Sequence, residues 1–122
     1  MEWVIIMSKS IITRYENYSV FSGVPAECHH HLCFGNGMRE KADADGLWIP
    51  LLNKEHNLSS KGTINQIHEN PIAEKLSKFL GQMAWEKRQV IIQLSEATGK
   101  SVEEIEDEVR ENFRKRYLIS FL

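Results

Sequence analysis

The stretch ECHHHLCFG contains three consecutive histidines, at positions 29–31, between two cysteines. A neutral imidazole can bind a transition metal through one ring nitrogen, and its pKa near neutrality also suits it to accept or donate a proton. Two further histidines, His56 and His68, follow along the chain. A histidine run can also be a solvent-exposed loop, so the surrounding elements decide whether these imidazoles serve a metal and a proton transfer.

The elements around the histidines are predicted from the spacing of apolar residues. ECHHHLCF (27–34) is predicted to be a strand, and LWIPLL (47–52) a second strand whose proline suits a sheet edge. Between them, GNGMREKADADG (35–46) has three glycines and alternating charges, which predicts a loop. EWVIIM (2–7) and SIITRY (10–15) are rich in β-branched residues and are predicted as short strands. We therefore expect β-hairpins in the N-terminal part.

Two amphipathic helices are predicted in the C-terminal part. Asn70 is a good N-cap, Pro71 suits the first helical position, and Gly99 ends the pattern. Ser101 and Glu104 form a capping box for a second helix. Apolar residues at helical spacing lie along both helices: Ile72, Leu76, Phe79, Leu80, Met83, Val90, Ile91 and Leu94, then Val102, Ile105, Val109 and Phe113. We expect these stripes to pack together as a core between the helices.

Composition limits the class of protein. The length of 122 residues and the 42% of hydrophobic residues suit a single domain, 1–122, with residues 1–70 carrying every histidine and residues 71–122 forming a helical scaffold. No apolar run approaches the roughly 20 residues of a membrane helix, and MEWVIIM is too short for a signal peptide, so we expect a cytoplasmic protein with no membrane partner. The net charge of −2 gives no general sign of nucleic-acid binding, although a local basic cluster can act where the total does not.

The order of these features resembles the His-Me finger, or HNH, nucleases, whose ββα unit binds one metal ion. More specifically, CHHHLCFGNGMREKADADGLWIPLLNKEHNLSSKGTINQIHENP is similar to a group of small phage and prophage HNH-type proteins, and AEKLSKFLGQMAWEKR downstream is also similar to that group. The resemblance covers about residues 25–88. It implies an α+β fold with a ββα-metal core followed by two amphipathic α-helices, in a phage- or prophage-encoded protein of a bacterial host cell.

The resemblance also implies roles for the histidines. Successive strand side chains point to opposite faces, so one member of a tandem pair can hold metal while the next reaches a water molecule. In the favoured register His30 is a metal ligand and His31 the general base; a shift by one would make His29 the ligand and His30 the base. His56 and His68 match the family's two further metal ligands.

Two departures from the family pattern concern this site. Where many relatives have an asparagine that orients the base, this chain has ADADGL, and Asp45 is expected to take that role because a carboxylate can accept an imidazole N–H. Many relatives also have cysteine pairs for a structural zinc, but only Cys28 is suitably placed here, so no second metal is expected. Cys28 and His29 are therefore second-choice ligands for the one divalent ion, and a disulfide between Cys28 and Cys33 is not expected.

Four basic residues are predicted to contact nucleic acid. Arg39 matches the arginine of the family's loop, and a guanidinium can grip phosphate with two hydrogen bonds, so a catalytic contribution is also expected from it. Lys41, Lys54 and Lys61 lie close to the histidines in sequence. The alternative for these lysines is a solvated charged surface.

These features lead to three functional hypotheses. The first is a metal-dependent DNA endonuclease with a single-metal mechanism, in which an all-imidazole site favours zinc, nickel, cobalt or manganese over magnesium. The second is a catalytically inactive, zinc-stabilised module that binds nucleic acid or protein. The third is a small helical interaction protein whose histidines are incidental. A homodimer or a phage protein partner is compatible with each.

Overall fold

The computed structural model describes residues 8–57 and 66–122, and within them the fold is α+β. The elements, in chain order, are β1 (Cys28–His31), α1 (Met38–Asp45), β2 (Trp48–Leu51), α2 (Asn53–His56), α3 (Pro71–Thr98) and α4 (Val102–Tyr117). The prediction of an antiparallel hairpin followed by helices is confirmed. In the described ranges, no helix combines the length and apolar character needed to cross a membrane.

The hairpin consists of β1 and β2 in antiparallel pairing, with His30 opposite Ile49 and His31 opposite Trp48. All four residues of β2 are buried, as expected for an apolar run bounded by polar segments. Pro50 has no N–H to donate, but its carbonyl accepts a hydrogen bond from the Val20 N–H. Both predicted strands are therefore confirmed, each shorter than its apolar run.

The predicted loop at 35–46 is wrong, because most of it forms α1. MREKADAD contains good helix formers and no β-branched residue, and it is bounded by glycines at both ends. Gly46 caps the helix in the left-handed conformation, with its N–H directed to the carbonyls of Ala42 and Asp43. The Lys9 carbonyl oxygen lies so close to the Gly46 Cα that a side chain would not fit. The three glycines thus mark the boundaries of a helix.

The predicted strand at 10–15 is also wrong. Instead of joining a sheet, this segment bends around Ser10, whose hydroxyl oxygen accepts hydrogen bonds from the N–H groups of Ile12 and Thr13. The same hydroxyl donates to the Trp48 carbonyl at 2.8 Å, which fastens the segment to β2. Serine offers the backbone an alternative to ladder hydrogen bonds, which propensity alone does not reveal. The strand predicted at 2–7 lies outside the described residues.

The ends of both long helices agree with the sequence. Pro71 begins α3, and Gly99, with a φ of 78°, follows its last residue. Ser101 caps α4, where its side chain accepts a hydrogen bond from the Glu104 N–H at 3.1 Å. Helix boundaries were predictable here because caps depend on a few neighbouring residues.

The faces of these helices that pack are not the predicted ones. Ile91 and Ile105 are buried, but most of the predicted core residues are exposed: Ile72, Leu76, Phe79, Leu80, Met83, Val90, Leu94, Val109 and Phe113. The buried side of the first part of α3 is instead a row of small residues: Ala73, Ser77, Gly81 and Ala84. Helical periodicity identifies a face suited to burial, but it does not identify what covers that face.

The chain divides into two compact units, Met1–Ala84 (unit 1) and Trp85–Leu122 (unit 2), and the boundary lies within α3. Unit 1 contains the main core: Ile12, Leu32, Ala42, Leu47, Ile49, Leu51 and Ile67. A Cβ on Gly81 would lie 2.6 Å from the Cys33 sulfur, so the absence of a side chain lets α3 approach the end of β1 closely. This close approach brings α3 to the histidines.

Candidate metal centre

Three histidines converge in unit 1. Each of His30, His56 and His68 offers a ring nitrogen, and these nitrogens all lie within 4.8 Å of one another. The ring centroids form a nearly regular triangle, 5.1 Å from His30 to each of the others and 4.6 Å between His56 and His68. The predicted ligand set is therefore the set that the structure brings together, and it could hold a metal ion.

Backbone hydrogen bonds explain why His56 and His68 meet despite their separation in sequence. The Ile67 N–H donates to the Glu55 carbonyl at 2.9 Å, and the His68 N–H donates to the His56 carbonyl at 3.0 Å. The Glu55 carboxylate in turn accepts the Leu52 N–H and the Ser19 hydroxyl, both at 2.7 Å. These bonds fix α2 and the segment before α3 against each other.

The ring of His30 is held in one orientation and one tautomer. His30 is only 1% exposed, and its Nε2 lies 2.7 Å from the Ser77 hydroxyl oxygen. That hydroxyl donates its one proton to the Leu32 carbonyl at 3.0 Å, so it can only accept from His30. The proton of the neutral imidazole is therefore on Nε2, and Nδ1 presents the lone pair that a metal needs.

His68 has a comparable arrangement with the other nitrogen. Its Nδ1 lies 3.2 Å from the Glu74 carboxylate, which can only accept a hydrogen bond when ionised. Nδ1 therefore carries the proton and Nε2 presents the lone pair. A carboxylate or hydroxyl behind a histidine in this way is typical of metal-binding histidines, whose second nitrogen is usually hydrogen-bonded.

Burial and mutual proximity keep the imidazoles of His30 and His56 neutral. Burial lowers the pKa of His30 to about 3, with further lowering from His56 and His68. Burial and the neighbouring His68 lower the pKa of His56 to about 4. A neutral imidazole is the form that binds metal, so the site is prepared for a cation at neutral pH.

The donor set fits a transition metal with an open position. Tetrahedral zinc with bonds of about 2.0–2.1 Å places its ligand atoms roughly 3.4 Å apart, so small ring rotations would bring nitrogens spread over 4.8 Å to that spacing. Three protein ligands leave one position for water or substrate, as in catalytic rather than structural sites.

His31 lies beside this site and is oriented by a carboxylate. Its Nε2 is 2.7 Å from Asp43 Oδ1, and both side chains are half-buried. Because the carboxylate accepts the Nε2 proton, Nδ1 of the neutral ring is left as a proton acceptor. The expectation that Asp45 would orient this histidine is wrong: Asp43 makes the contact and Asp45 is exposed. Residues two positions apart lie on opposite sides of a helix, so only one of them can face β1.

A cavity of about 400 Å³ lies between His31 and the group formed by His30, His56 and His68. It is lined by His29, His31, Phe34, Arg39, His56, Asn57 and His68. Arg39 lies in the first turn of α1, and its charge contributes to lowering the pKa of His30 and His56. No ion pair of Arg39 occurs within 8–57 and 66–122. A cationic side chain thus faces the same cavity as His56 and His68, two of the three candidate metal ligands.

The two second-choice ligands stand outside the triangle. His29 stacks on Trp48 with ring centroids 4.1 Å apart, and burial lowers its pKa. The Cys28 thiol donates to the Leu51 carbonyl at 3.6 Å, and burial raises its pKa, so it stays protonated. Cys28 and Cys33 are both free thiols.

The predicted lysines are less closely associated with the cavity. Lys41 and Lys54 are exposed, on α1 and α2 respectively, and neither lines the cavity. Lys61 lies outside the described residues. Sequence reasoning also missed Ser77 and Glu74. Their signal was their position in the first two turns of α3, where Ser77 belongs to the small-residue row and Glu74 directly follows Ala73 of that row.

Comparisons of the chain with protein-family models, with curated proteins and with solved structures find no match.

Proposed function

We propose that this chain is a metal-dependent endonuclease that hydrolyses DNA phosphodiester bonds, with the ββα-metal arrangement of the His-Me finger nucleases. The observation that carries the proposal is the combination of two differently prepared kinds of histidine around one cavity. Three imidazoles offer ring nitrogens within 4.8 Å of one another, and His31 lies beside them with its Nε2 hydrogen-bonded to Asp43. A purely structural metal site has no need of an oriented proton acceptor.

The residues of the chain divide the reaction between them. His30, His56 and His68 would hold a divalent ion, which when bound stabilises negative charge on the phosphate and on the leaving oxygen. His31 Nδ1 accepts a proton from water as the water oxygen bonds to phosphorus and the bond to the leaving oxygen breaks. Asp43 stabilises the imidazolium that results. Arg39 binds a phosphate oxygen from the cavity wall.

The chemistry of the ligands narrows the choice of ion. Imidazole nitrogens suit zinc, nickel, cobalt and manganese, whereas magnesium prefers oxygen ligands and keeps several waters. The proposed enzyme therefore works with one transition-metal ion. DNA is its proposed partner, although Arg39 is the one basic residue that lines the described part of the cavity.

The experiment that tests the proposal is cleavage of supercoiled plasmid by the purified chain. Reactions contain EDTA, or EDTA followed by excess Mn²⁺, Ni²⁺, Co²⁺, Zn²⁺ or Mg²⁺, and bound metal is measured separately. We expect nicking only with metal, and we expect His31→Ala to reduce the rate by about 10²–10⁴-fold while metal content stays unchanged. His29→Ala is the matched control, because it removes a neighbouring imidazole that lines the same cavity.

Two outcomes would contradict the proposal in different ways. Cleavage by His31→Ala at the wild-type rate would show that His31 is not the base. No cleavage by a folded, metal-loaded wild-type chain with any of these ions would favour the inactive metal-stabilised binding module instead. The net charge of −2 is the observation that keeps that module as the second candidate, since phosphate binding relies on positive charge.

A further inference from the structure

Unit 2 leaves most of its apolar surface exposed. Only two of its hydrophobic residues, Ile91 and Ile105, are buried. Ten large hydrophobic residues of this unit are between 41% and 87% exposed: Trp85, Val90, Leu94, Val109, Phe113, Tyr117, Leu118, Ile119, Phe121 and Leu122. Scattered single exposures are ordinary on a protein surface, but ten in so short a segment are not.

Several of these side chains form one continuous cluster at the end of α4. The Phe113 ring stacks on Tyr117 at 4.6 Å and meets Phe121 edge to face at 6.2 Å. Beside them is an open cavity of about 340 Å³, with walls that include Val109, Phe113, Phe121 and Leu122. Aromatic residues gathered around an apolar cavity are the usual anchors of a protein interface.

The exposed area is sufficient for a stable interface. At roughly 100 Å² for each exposed side chain, the ten residues present on the order of 1,000 Å², compared with about 800 Å² buried per partner in a standard interface. Burial of even half of this surface would exceed what most incidental contacts provide. The exposed apolar area of unit 2 therefore indicates an interface with another chain.

The charges of α4 are separated along the helix. The first half, 102–109, contains five acidic residues and no basic one, whereas the second half, 110–117, contains four basic residues and one acidic one. Interaction with the helix dipole accounts for charges in the first and last turns only. Beyond the first turn, Glu106 and Glu108 pair with Arg88 and Lys100 of the same chain. The charged residues at the two ends of α4 form no ion pair within residues 8–57 and 66–122: Glu103, Glu104, Lys115 and Arg116. A helix with this pattern is complementary to a second copy of itself in antiparallel orientation.

We propose that unit 2 is a dimerisation surface whose partner is a second copy of this chain, with the two α4 helices antiparallel. With the two-fold axis at the midpoint of α4, between Val109 and Arg110, the acidic half of each helix faces the basic half of the other. Glu103 is then opposite Arg116, and Glu104 is opposite Lys115. The interface is isologous, as in most homodimers, because both copies use the same patch and the two-fold axis limits the assembly to two chains. This inference is independent of the proposed nuclease activity.

The test is the mass of the full chain in solution, measured by light scattering after size-exclusion chromatography into the high micromolar range. We expect a dimer of twice the 14.1 kDa chain mass. The variant Glu103→Lys/Glu104→Lys places basic residues at both ends of α4, and Lys115→Glu/Arg116→Glu places acidic residues at both ends. In either variant, like charges face each other across the antiparallel pair, so each should be monomeric. The two variants mixed together should form a heterodimer.

The combination of all four substitutions separates the proposal from simple damage to the helix. This variant opposes the helix dipole at both ends, so it is the least favourable for α4 itself. It nevertheless restores complementarity between antiparallel copies, and we expect the dimer to return. Glu40→Lys/Glu96→Lys is the control with the same change of net charge away from α4, and it should remain dimeric. Circular dichroism of each variant is the control that measures whether its helices are retained.

A monomeric wild-type chain across the whole concentration range would overturn the proposal. It would also be overturned if the variant with all four substitutions stayed monomeric while folded. The same holds if Glu103→Lys/Glu104→Lys and Lys115→Glu/Arg116→Glu each remained dimeric on their own. Oligomers larger than a dimer would exclude the closed antiparallel arrangement. None of these outcomes depends on whether the chain cleaves DNA.

Discussion

Among its described residues, unit 1 buries eight hydrophobic side chains, whereas unit 2, with the longer helical segments, buries only Ile91 and Ile105. The same helix, α3, contributes to both units. In unit 1 its small-residue row lies close to β1, and its large apolar side chains point away. The difference shows that the amount of apolar sequence in a segment does not predict how much of it is buried within one chain.

The polar groups differ between the units in the same way. In unit 1, His30, His31 and His68 each have a hydrogen-bond partner that fixes the ring. In unit 2, two of the ion pairs, Lys100–Glu108 and Arg114–Glu111, lie at the surface, where such pairs contribute little stability. The apolar core within unit 1 holds the histidines and their hydrogen-bond partners in fixed positions. The exposed apolar surface of unit 2 is suited to association with another protein chain.

The largest expected effect concerns metal binding, which should belong to unit 1 alone. His30→Ala should abolish binding of one Zn²⁺ or Mn²⁺ per chain, because it removes the most buried ligand of the triangle. In the wild type, metal at about 100 times its dissociation constant should stabilise the fold by about 2.7 kcal/mol, seen as a higher melting temperature. Metal titration and thermal unfolding measure both effects.

His29→Ala is the matched control for this prediction, and it should bind metal normally. If His29→Ala lost the metal while His30→Ala retained it, the register of the histidine run would be shifted by one residue. Such a result would contradict the triangle of His30, His56 and His68.

The next effect compares a core leucine of unit 1 with an exposed leucine of unit 2. Leu51 is fully buried in β2, so Leu51→Ala should lower the free energy of unfolding by about 2–5 kcal/mol. Leu118 is 87% exposed, so Leu118→Ala should change the free energy of unfolding by less than about 0.5 kcal/mol. Urea unfolding at low protein concentration measures both. Equal losses would remove the contrast between the two units.

A smaller effect distinguishes two aspartates of α1. Asp43→Asn should lower the rate of plasmid nicking by about 10–100-fold, because an amide orients His31 but cannot stabilise its protonated form. Asp45→Asn, two residues away on the exposed side of the helix, should leave the rate within about twofold. The rates are compared at saturating metal. A loss in Asp45→Asn alone would restore the role that the sequence suggested.

The smallest effect is the pH dependence of stability in the metal-free chain. The pKa of His30 is about 3 in the folded chain against 6.5 ordinarily, so below pH 6.5 the unfolded chain binds a proton that the folded chain does not. The contribution of His30 to the free energy of unfolding is therefore fully present above pH 6.5 and is lost as pH falls towards 3. His30 alone should account for about 2 kcal/mol between pH 7 and pH 5.

Urea unfolding in EDTA at these two pH values measures the loss. His56, with a pKa of about 4, acts in the same direction. The pH dependence should be clearly smaller in His30→Ala than in the wild type. It should fall less in His29→Gln, because burial lowers the pKa of His29 as well but less strongly. A stability that rises on acidification would show that His30 is not held neutral by the fold.

Local sequence determined much of this protein. Apolar runs predicted both strands of the hairpin, and the caps at Pro71, Gly99 and Ser101 predicted where the long helices begin and end. These features depend on interactions over a few residues, so one sequence is enough to predict them. The candidate ligands were identified through the resemblance to the His-Me finger nucleases, which assigns roles to histidines in this order along the chain.

Tertiary structure decided the rest. The strand register of the hairpin directs His30, not His29, towards His56 and His68. Because most of 35–46 forms a helix, Asp43 rather than Asp45 contacts His31. Ser77 reaches His30 because Gly81, one turn further along α3, permits a close approach to β1. Each of these contacts joins residues at least 12 positions apart, and their direction depends on how whole elements pack. Sequence therefore specified the chemical groups and the elements, while packing specified which groups meet.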